Sequence, residues 1–236
     1  MRYDDICEGV FHARPNRFIA EVYVDGKLEH CHVKNTGRLG ELLIPGARVY
    51  LRRSQNPERS TAFSLISVHK DDRLVNVDSQ APNKVFLEYM QSGQYLDGIT
   101  HIKPEVKRGG SRFDFYVECG SRRIFIEVKG VTLERDGMAM FPDAPTRRGV
   151  KHLRELVECI KDGYEAHVVF VVKMAGASCF APNNIVHAAF GEALKDAEAA
   201  GVKVTALDCV VTPSELSIRG KILITESVED ELCQRN

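Results

Sequence analysis

The 236-residue sequence has no uninterrupted apolar run long enough to cross a bilayer. Its start, Met1-Arg2-Tyr3-Asp4-Asp5, is polar and acidic rather than signal-like. No membrane span is expected, and a cytoplasmic location is. There are seven cysteines, an odd number, and no Cys-x-x-Cys pair. That argues against a disulfide framework or a standard zinc site and fits a reducing compartment. His30-Cys31-His32 is the one tight Cys/His cluster, and no further ligand pair accompanies it. It reads as strand residues beside a binding surface. The sequence also lacks a glycine-rich phosphate loop and a dinucleotide fingerprint, which leaves an enzyme of phosphorylated sugars unsupported. Its net charge is only −1, so no global nucleic-acid signature is present. Internal repeats and low-complexity segments are absent.

What is there suffices for two small domains or one large one. Hydrophobic residues make up 44% and charged residues 28%, an ordinary balance for a globular protein with a core. Charge is unevenly spread. From Lys103 to Arg154, 12 basic residues face 7 acidic ones; from Glu192 to Asn236 the balance is 5 to 9. A basic patch of this kind suits phosphate contacts, and it equally suits a solvated face.

The first third reads as short strands. Gly9 to Arg14 and Arg17 to Val24 flank Pro15-Asn16, Asp25-Gly26 is a strong hairpin turn, and Lys27 to Val33 returns. Asn35-Thr36-Gly37 breaks the pattern. Arg48 to Arg53 and Phe63 to Val68 follow. About five such strands predict a small OB-like barrel. Arg52, Arg53 and Arg59, around Asn56-Pro57, are candidate DNA-backbone contacts. Tyr50 and Phe63 are either stacking platforms or, more simply, core residues. Val75 to Asn83 looks like an interdomain link, and Pro82-Asn83 opens a helix that Gly93 closes.

The second part alternates strands and helices. Val150, Leu153, Val157 and Ile160 recur at helical spacing, with Thr146 as N-cap and Gly163 just past the end. His167 to Val172 is a buried strand. Pro182 to Ala200 is a helix closed by Gly201, and Val202 to Val211 is a further strand. This order implies an α/β domain with a right-handed crossover. Ser227 to Asn236 is expected to be a loose acidic end.

Between these lies the stretch with the most chemistry. Ser111 to Glu118 and Arg122 to Gly130 alternate apolar and polar residues around Gly120-Ser121, which suits a two-residue type II′ turn. In that register Asp114 lies opposite Glu127, Phe113 opposite Val128 and Phe115 opposite Ile126. A slip of one residue would pair charges with core positions. Glu127 and Lys129 share a face because strand side chains repeat every two residues. Two carboxylates at ~4 Å would repel by about 4 kcal/mol at an effective dielectric near 20. Lys129, a shared proton or a divalent cation must offset this, and carboxylate oxygens are the hard ligands that Mg²⁺ takes. The plain alternative is a solvent-facing cross-strand ion pair.

This Asp…Glu-x-Lys arrangement resembles the core of the PD-(D/E)xK nuclease superfamily. Ser111 to Phe115, Ile126 to Leu133 and the long irregular string Phe141-Pro142-Asp143-Ala144-Pro145-Thr146-Arg147-Arg148-Gly149-Val150-Lys151-His152-Leu153 resemble the sugar fermentation stimulation protein family. Lys34-Asn35-Thr36-Gly37, Asn56-Pro57, Phe180, Pro182 and Asn183 extend the likeness over nearly the whole chain. The sequence departs from the family pattern at Ser60 to Phe63, at Lys173 and at His187. The resemblance implies an α+β or α/β chain: an OB-like β-barrel over residues 1–78, then a PD-(D/E)xK nuclease-like α/β domain over 79–236. It implies DNA as partner and Mg²⁺ or Mn²⁺ as cofactor. Asp114 and Glu127 would hold the metal, with Glu88 on the preceding helix as a further ligand. Lys129 would complete the catalytic set, placing a water or neutralising phosphate charge. Arg112, Arg147 and Lys151 join the three barrel arginines as expected DNA contacts. Two readings of function follow: a metal-dependent nuclease, or a non-catalytic DNA-binding regulator of sugar (maltose) metabolism that keeps a nuclease fold as scaffold.

Overall fold

Positive backbone angles at Asp25 and Gly26 (φ 50° and 77°) turn the chain between β2 (Ile19–Val24) and β3 (Lys27–His32). Both central positions of a type I′ hairpin require such angles. The computed structural model describes residues 1–56 and 58–226; the acidic end expected from Ser227 onward lies outside them. β1 (Ile6–Asn16) starts three residues before and ends two residues after the stretch that its sequence pattern marks. The Asn16 side chain makes the turn itself, accepting the N–H groups of Phe18 at 2.9 Å and Ile19 at 3.1 Å. β4 (Arg48–Arg53), β5 (Phe63–Lys70) and β6 (Arg73–Asn76) complete a sheet of order β3-β2-β1-β4-β5-β6. A β3–β5 pairing closes five of its strands into a barrel. Phe11, Val22, Cys31, Val49, Leu51, Phe63 and Leu65 fill it. Phe63 is therefore a core residue, with Arg53 over its ring at 4.9 Å.

The second part is a nine-stranded mixed sheet. α1 (Ala81–Gln91) precedes β7 (Ile99–Arg108), β8 (Ser111–Cys119) and β9 (Arg122–Val131). Then come β10 (Leu133–Arg135), β11 (Met138–Phe141), α2 (Arg147–Lys161), β12 (Glu165–Val172), β13 (Cys179–Pro182), α3 (Asn184–Ala199), β14 (Lys203–Thr212) and β15 (Glu215–Ile224). The order is β10-β11-β13-β15-β14-β12-β9-β8-β7, with β9, β12 and β14 parallel at its centre. Phe125 of β9 joins the core that α2 covers, and Ile124, Ile126 and Val128 join the one that α1 covers. Among the described residues no helix is long and apolar enough to cross a membrane.

β7 is an edge strand with most of its residues exposed. It shows no alternation because neither face is buried, and Lys103, Pro104 and Lys107 discourage further pairing there. In α2, Thr146 Oγ1 accepts the Gly149 N–H at 3.0 Å, the expected cap. Val150 and Leu153 are buried as expected. The deepest positions further along are Leu156 and Cys159, while Val157 and Ile160 are half-buried against the same core.

The segment read as an interdomain link is a buried joint. Val75, Asn76, Val77 and Asp78 are almost fully buried. Asn76 N–H donates to Lys173 O at 2.9 Å. Asp78 Oδ2 accepts Lys34 Nζ at 3.1 Å, and its Oδ1 accepts the Gln80 N–H at 3.0 Å, just ahead of α1. Lys173 Nζ donates to Asp78 O at 3.2 Å. Burial, partly offset by Asp78, lowers the Lys173 pKa to about 8. A second crossing lies near the start of the chain. Arg2 bridges to Glu215, and Tyr3 N–H donates to Ser214 O at 2.8 Å. Residues at the beginning of the chain thus pair with the turn between β14 and β15 before the barrel starts.

Gly130, at the end of β9, sits where a Cβ would come 2.7 Å from Pro82 Cγ and 3.4 Å from Lys173 Cε. Gly130→Ala must therefore push the first turn of α1 away from β9. Overpacking of this kind costs about 1–3 kcal/mol. The expected fall in Tm is roughly 2–10 °C, read by thermal unfolding; an unchanged Tm would mean that this contact is loose.

Candidate active site

The hairpin turns at Gly120 (φ 59°) and Ser121, and its ladder runs from Cys119–Arg122 to Phe115–Ile126. That is the register expected from the alternation. Beyond Phe115 the strands part. Phe113 packs against Phe125 and His152 in one core, while Phe115 meets Phe86 in the other. Parting would leave the Val128 N–H without a strand partner, which is costly in a buried place. Asp114 supplies the acceptor: its Oδ2 takes the Val128 N–H at 2.7 Å. Its Oδ1 takes Asn83 Nδ2, also at 2.7 Å, from the first turn of α1. Asp114 is thus fixed by the main chain of β9, one residue from Glu127.

Glu127 is only 4% exposed. Its Oε1 accepts Lys129 Nζ at 2.6 Å and makes a close contact with His152 Nδ1. His152, on α2, is equally buried, and its Nε2 accepts Arg148 Nε at 3.3 Å. Glu127 Oε2 is buried and has no hydrogen-bond partner.

The two carboxyls are pushed apart in acidity. Burial and then the Glu127 charge raise the Asp114 pKa, against the lowering effect of the Val128 and Asn83 donors. Burial acts on Glu127 in the same direction, but the His152 hydrogen bond and the Lys129 charge outweigh it and hold Glu127 below the usual carboxylate range. At neutral pH Glu127 is ionised and Asp114 is the easier of the two to protonate.

The structure brings Asp114, Glu127 and Lys129 together, and it does not bring Glu88 to them. The Glu88 carboxylate is exposed, and its Oε2 accepts the Met1 ammonium at 2.6 Å. Asn83 is the α1 side chain that reaches the pair. No group of three or more His, Cys, Asp or Glu side chains among the described residues is arranged to hold a metal ion. Asn83, His152 and Arg148 escape the sequence reading. The spacing of Arg148 and His152, four residues apart on a helix, is the signal that places both on one face.

The expected DNA contacts fall into two sets. Arg112 lies two residues before Asp114, exposed and bonded to Glu105 at 2.7 Å. Exposed Arg147 opens α2, and one turn on Lys151 Nζ donates to Gly110 O at 2.7 Å. These three lie on the strand and the helix that carry Asp114 and His152. Arg52, Arg53 and Arg59 sit on the barrel, at β4 and the loop after it. Arg52 is half-buried and Arg53 exposed.

Two family models match the chain. Residues 80–215 match the family model described as "Sugar fermentation stimulation protein RE domain", and residues 13–77 match "SfsA N-terminal OB domain". A sugar fermentation stimulation protein homolog of Clostridium beijerinckii is 55% identical over 219 residues, 93% of this chain and 97% of that one. One from Desulfitobacterium hafniense is 56% identical over 216 residues, 92% of this chain and 94% of that one. A solved structure described as that of Pyrococcus furiosus SfsA in complex with Ca²⁺ is 30% identical with a TM-score of 0.88, and covers 95% of this chain and 98% of that one.

The Glu127 arrangement makes a pH-dependent prediction. Its folded pKa is depressed, so the stability it contributes is fully present above the unfolded value of about 4.3. That stability is lost as pH falls through the folded value below it. Glu127→Gln should therefore destabilise the protein near neutral pH by about 1–3 kcal/mol, with the gap to wild type closing in acid. Urea unfolding across the pH range measures it. A gap that stays constant would show that the charge of Glu127 is not what stabilises.

Proposed function

The chain belongs to the sugar fermentation stimulation protein family, and we propose that it is a cytoplasmic DNA-binding protein with a divalent-cation-dependent phosphodiesterase site. The observation that carries this reading is the buried, partnerless Glu127 Oε2 beside a second buried carboxylate. A buried carboxylate oxygen without a donor is costly, and a cation is the partner that suits it. The donors are all hard oxygens, the set that Mg²⁺, Mn²⁺ and Ca²⁺ take. The Pyrococcus furiosus relative is described as a Ca²⁺ complex, which supports the same class of ion here. Free thiols at Cys7, Cys31, Cys119, Cys159 and Cys209 support a reducing compartment.

Asp114 and the Oε2 of Glu127 would hold the cation, which when bound supplies Lewis acidity at a phosphodiester. The chain's own residues do the rest. Asn83 and the Val128 N–H keep Asp114 in place. Lys129, anchored on Glu127, keeps N–H donors for a water or a phosphate oxygen and neutralises charge as it grows in the transition state. Arg112, Arg147 and Lys151, on the strand and helix that carry Asp114 and His152, would be the contacts to a DNA backbone.

The scaffold reading keeps one observation on its side. Glu88 is engaged elsewhere, so the described residues offer two carboxylates rather than three.

Two measurements separate the readings. Mn²⁺ or Mg²⁺ should raise Tm by binding the folded state, and Asp114→Asn should abolish the rise. Because the Asp114 pKa is raised, a proton competes with the ion. Affinity should weaken about tenfold per pH unit below that value, with about one proton released per ion bound. Calorimetry in buffers of different ionisation enthalpy counts the protons. An unchanged shift in Asp114→Asn would place the ion elsewhere.

Lys129→Ala should then cut DNA cleavage by about 100-fold or more while barely changing DNA affinity. In the scaffold reading the wild type cleaves nothing, and the substitution only lowers the salt slope of binding by about one. Plasmid and single-strand cleavage with a chelator control, beside a binding titration, decides between them.

A further inference from the structure

Glu127 does not fix its own orientation. Arg148 and His152 lie one helical turn apart on α2 and share a face. The 3.3 Å contact between Arg148 Nε and His152 Nε2 can run in one sense only, because a guanidinium has donors and no acceptor. His152 Nε2 therefore carries the lone pair. The imidazole proton is left on Nδ1, the atom that meets Glu127 Oε1. Lys129 Nζ donates to the same oxygen at 2.6 Å, and it stands 3.5 Å from His152 Nδ1, so two donors converge on one acceptor. Glu127 Oε1 is doubly occupied and Oε2 is bare. Phe113 holds the imidazole edge-to-face at 6.3 Å, and the ring is 4% exposed. Both ring nitrogens are engaged, which removes His152 itself as a ligand.

We propose that Arg148 and His152 are positioning residues for the cation: they set the Nδ1–H tautomer, occupy Glu127 Oε1, and leave Oε2 as the single oxygen that Glu127 presents. The proposal rests on the cation reading given above. Lys129 alone would not do this. Its ammonium is a point donor on a flexible stem, whereas the imidazole is planar and clamped at both ends. Orienting partners of this kind are worth about 10- to 100-fold in metal affinity.

The test is Mn²⁺ binding to the full chain by calorimetry, without DNA. His152→Leu should weaken binding by about 10- to 100-fold. His152→Asn, whose amide nitrogen can take the place of Nδ1, should recover most of the loss. Arg148→Ala frees Nε2 for the other tautomer and should weaken binding by a smaller factor. A long-range ¹H–¹⁵N spectrum of the metal-free wild type at alkaline pH should show the proton on His152 Nδ1. This needs no substitution and serves if His152→Leu does not fold. A proton on Nε2 overturns the proposal. So does wild-type affinity in His152→Leu, or an equal loss in the Leu and Asn variants, while Asp114→Asn still abolishes binding. Mn²⁺ binding that is absent in the wild type, or indifferent to Asp114→Asn, sinks the cation reading instead. The tautomer then still reports on the arrangement around Glu127.

Discussion

A carboxylate buried as deeply as Glu127 stays charged only if donors replace the water it has lost. Two do so, one from its own strand and one from a helix that arrives some twenty residues later. This single requirement explains several features together. Lys129 sits two positions on, because only that spacing shares the face of Glu127. His152 is buried on a helix whose other buried residues are apolar or glycine, an odd placement until its partner is counted. The parting of β8 from β9 opens the space that the carboxylates need, and Asp114 repairs the ladder it interrupts. Buried ion pairs contribute little net stability, since desolvation cancels most of the attraction. Removing one partner is a different matter, because it leaves the other charge buried and unpaired.

The barrel and the mixed sheet meet through backbone as well as side chains. β12 pairs with β9 along its length, so Phe170 lies beside Lys129 and Val172 beside Val131. The next residue, Lys173, bonds to the joint below the barrel. The strand that carries Glu127 and Lys129 is thus one hydrogen-bonded step from the contact between the two halves. Lys34, just ahead of the Asn35-Thr36-Gly37 loop, reaches the same joint from the barrel side.

Much of this was legible in the sequence because it rests on local rules. Alternation and a two-residue turn set the hairpin register. Asp-Gly set a barrel hairpin, and Thr146 with Gly163 set the limits of α2. The barrel and the α/β part follow from strand spacing and strand–helix order. What stayed hidden depends on partners distant in sequence. β7 is exposed on its edge and so carries no pattern. Val75 to Asp78 looks like a link by composition, yet its polar groups are answered by Lys34, Lys173 and Ile66. Glu88 and Asn83 lie five residues apart on α1, and only the docking of that helix decides which one reaches Asp114. A histidine among helix residues shows nothing of the glutamate it will meet.

The two places where chain crosses between the halves bound the barrel on both sides. Tyr3 is paired to the β14–β15 turn before the barrel begins, and Asp78 is held in the joint after it ends. A domain hung from one linker can swing open like a flap. One secured where its chain enters and again where it leaves resists opening, and Lys70 and Arg73 each add an ion pair to Glu134 of β10 at 2.9 Å across the same boundary. Opening one half from the other would then break both anchors and these ion pairs together.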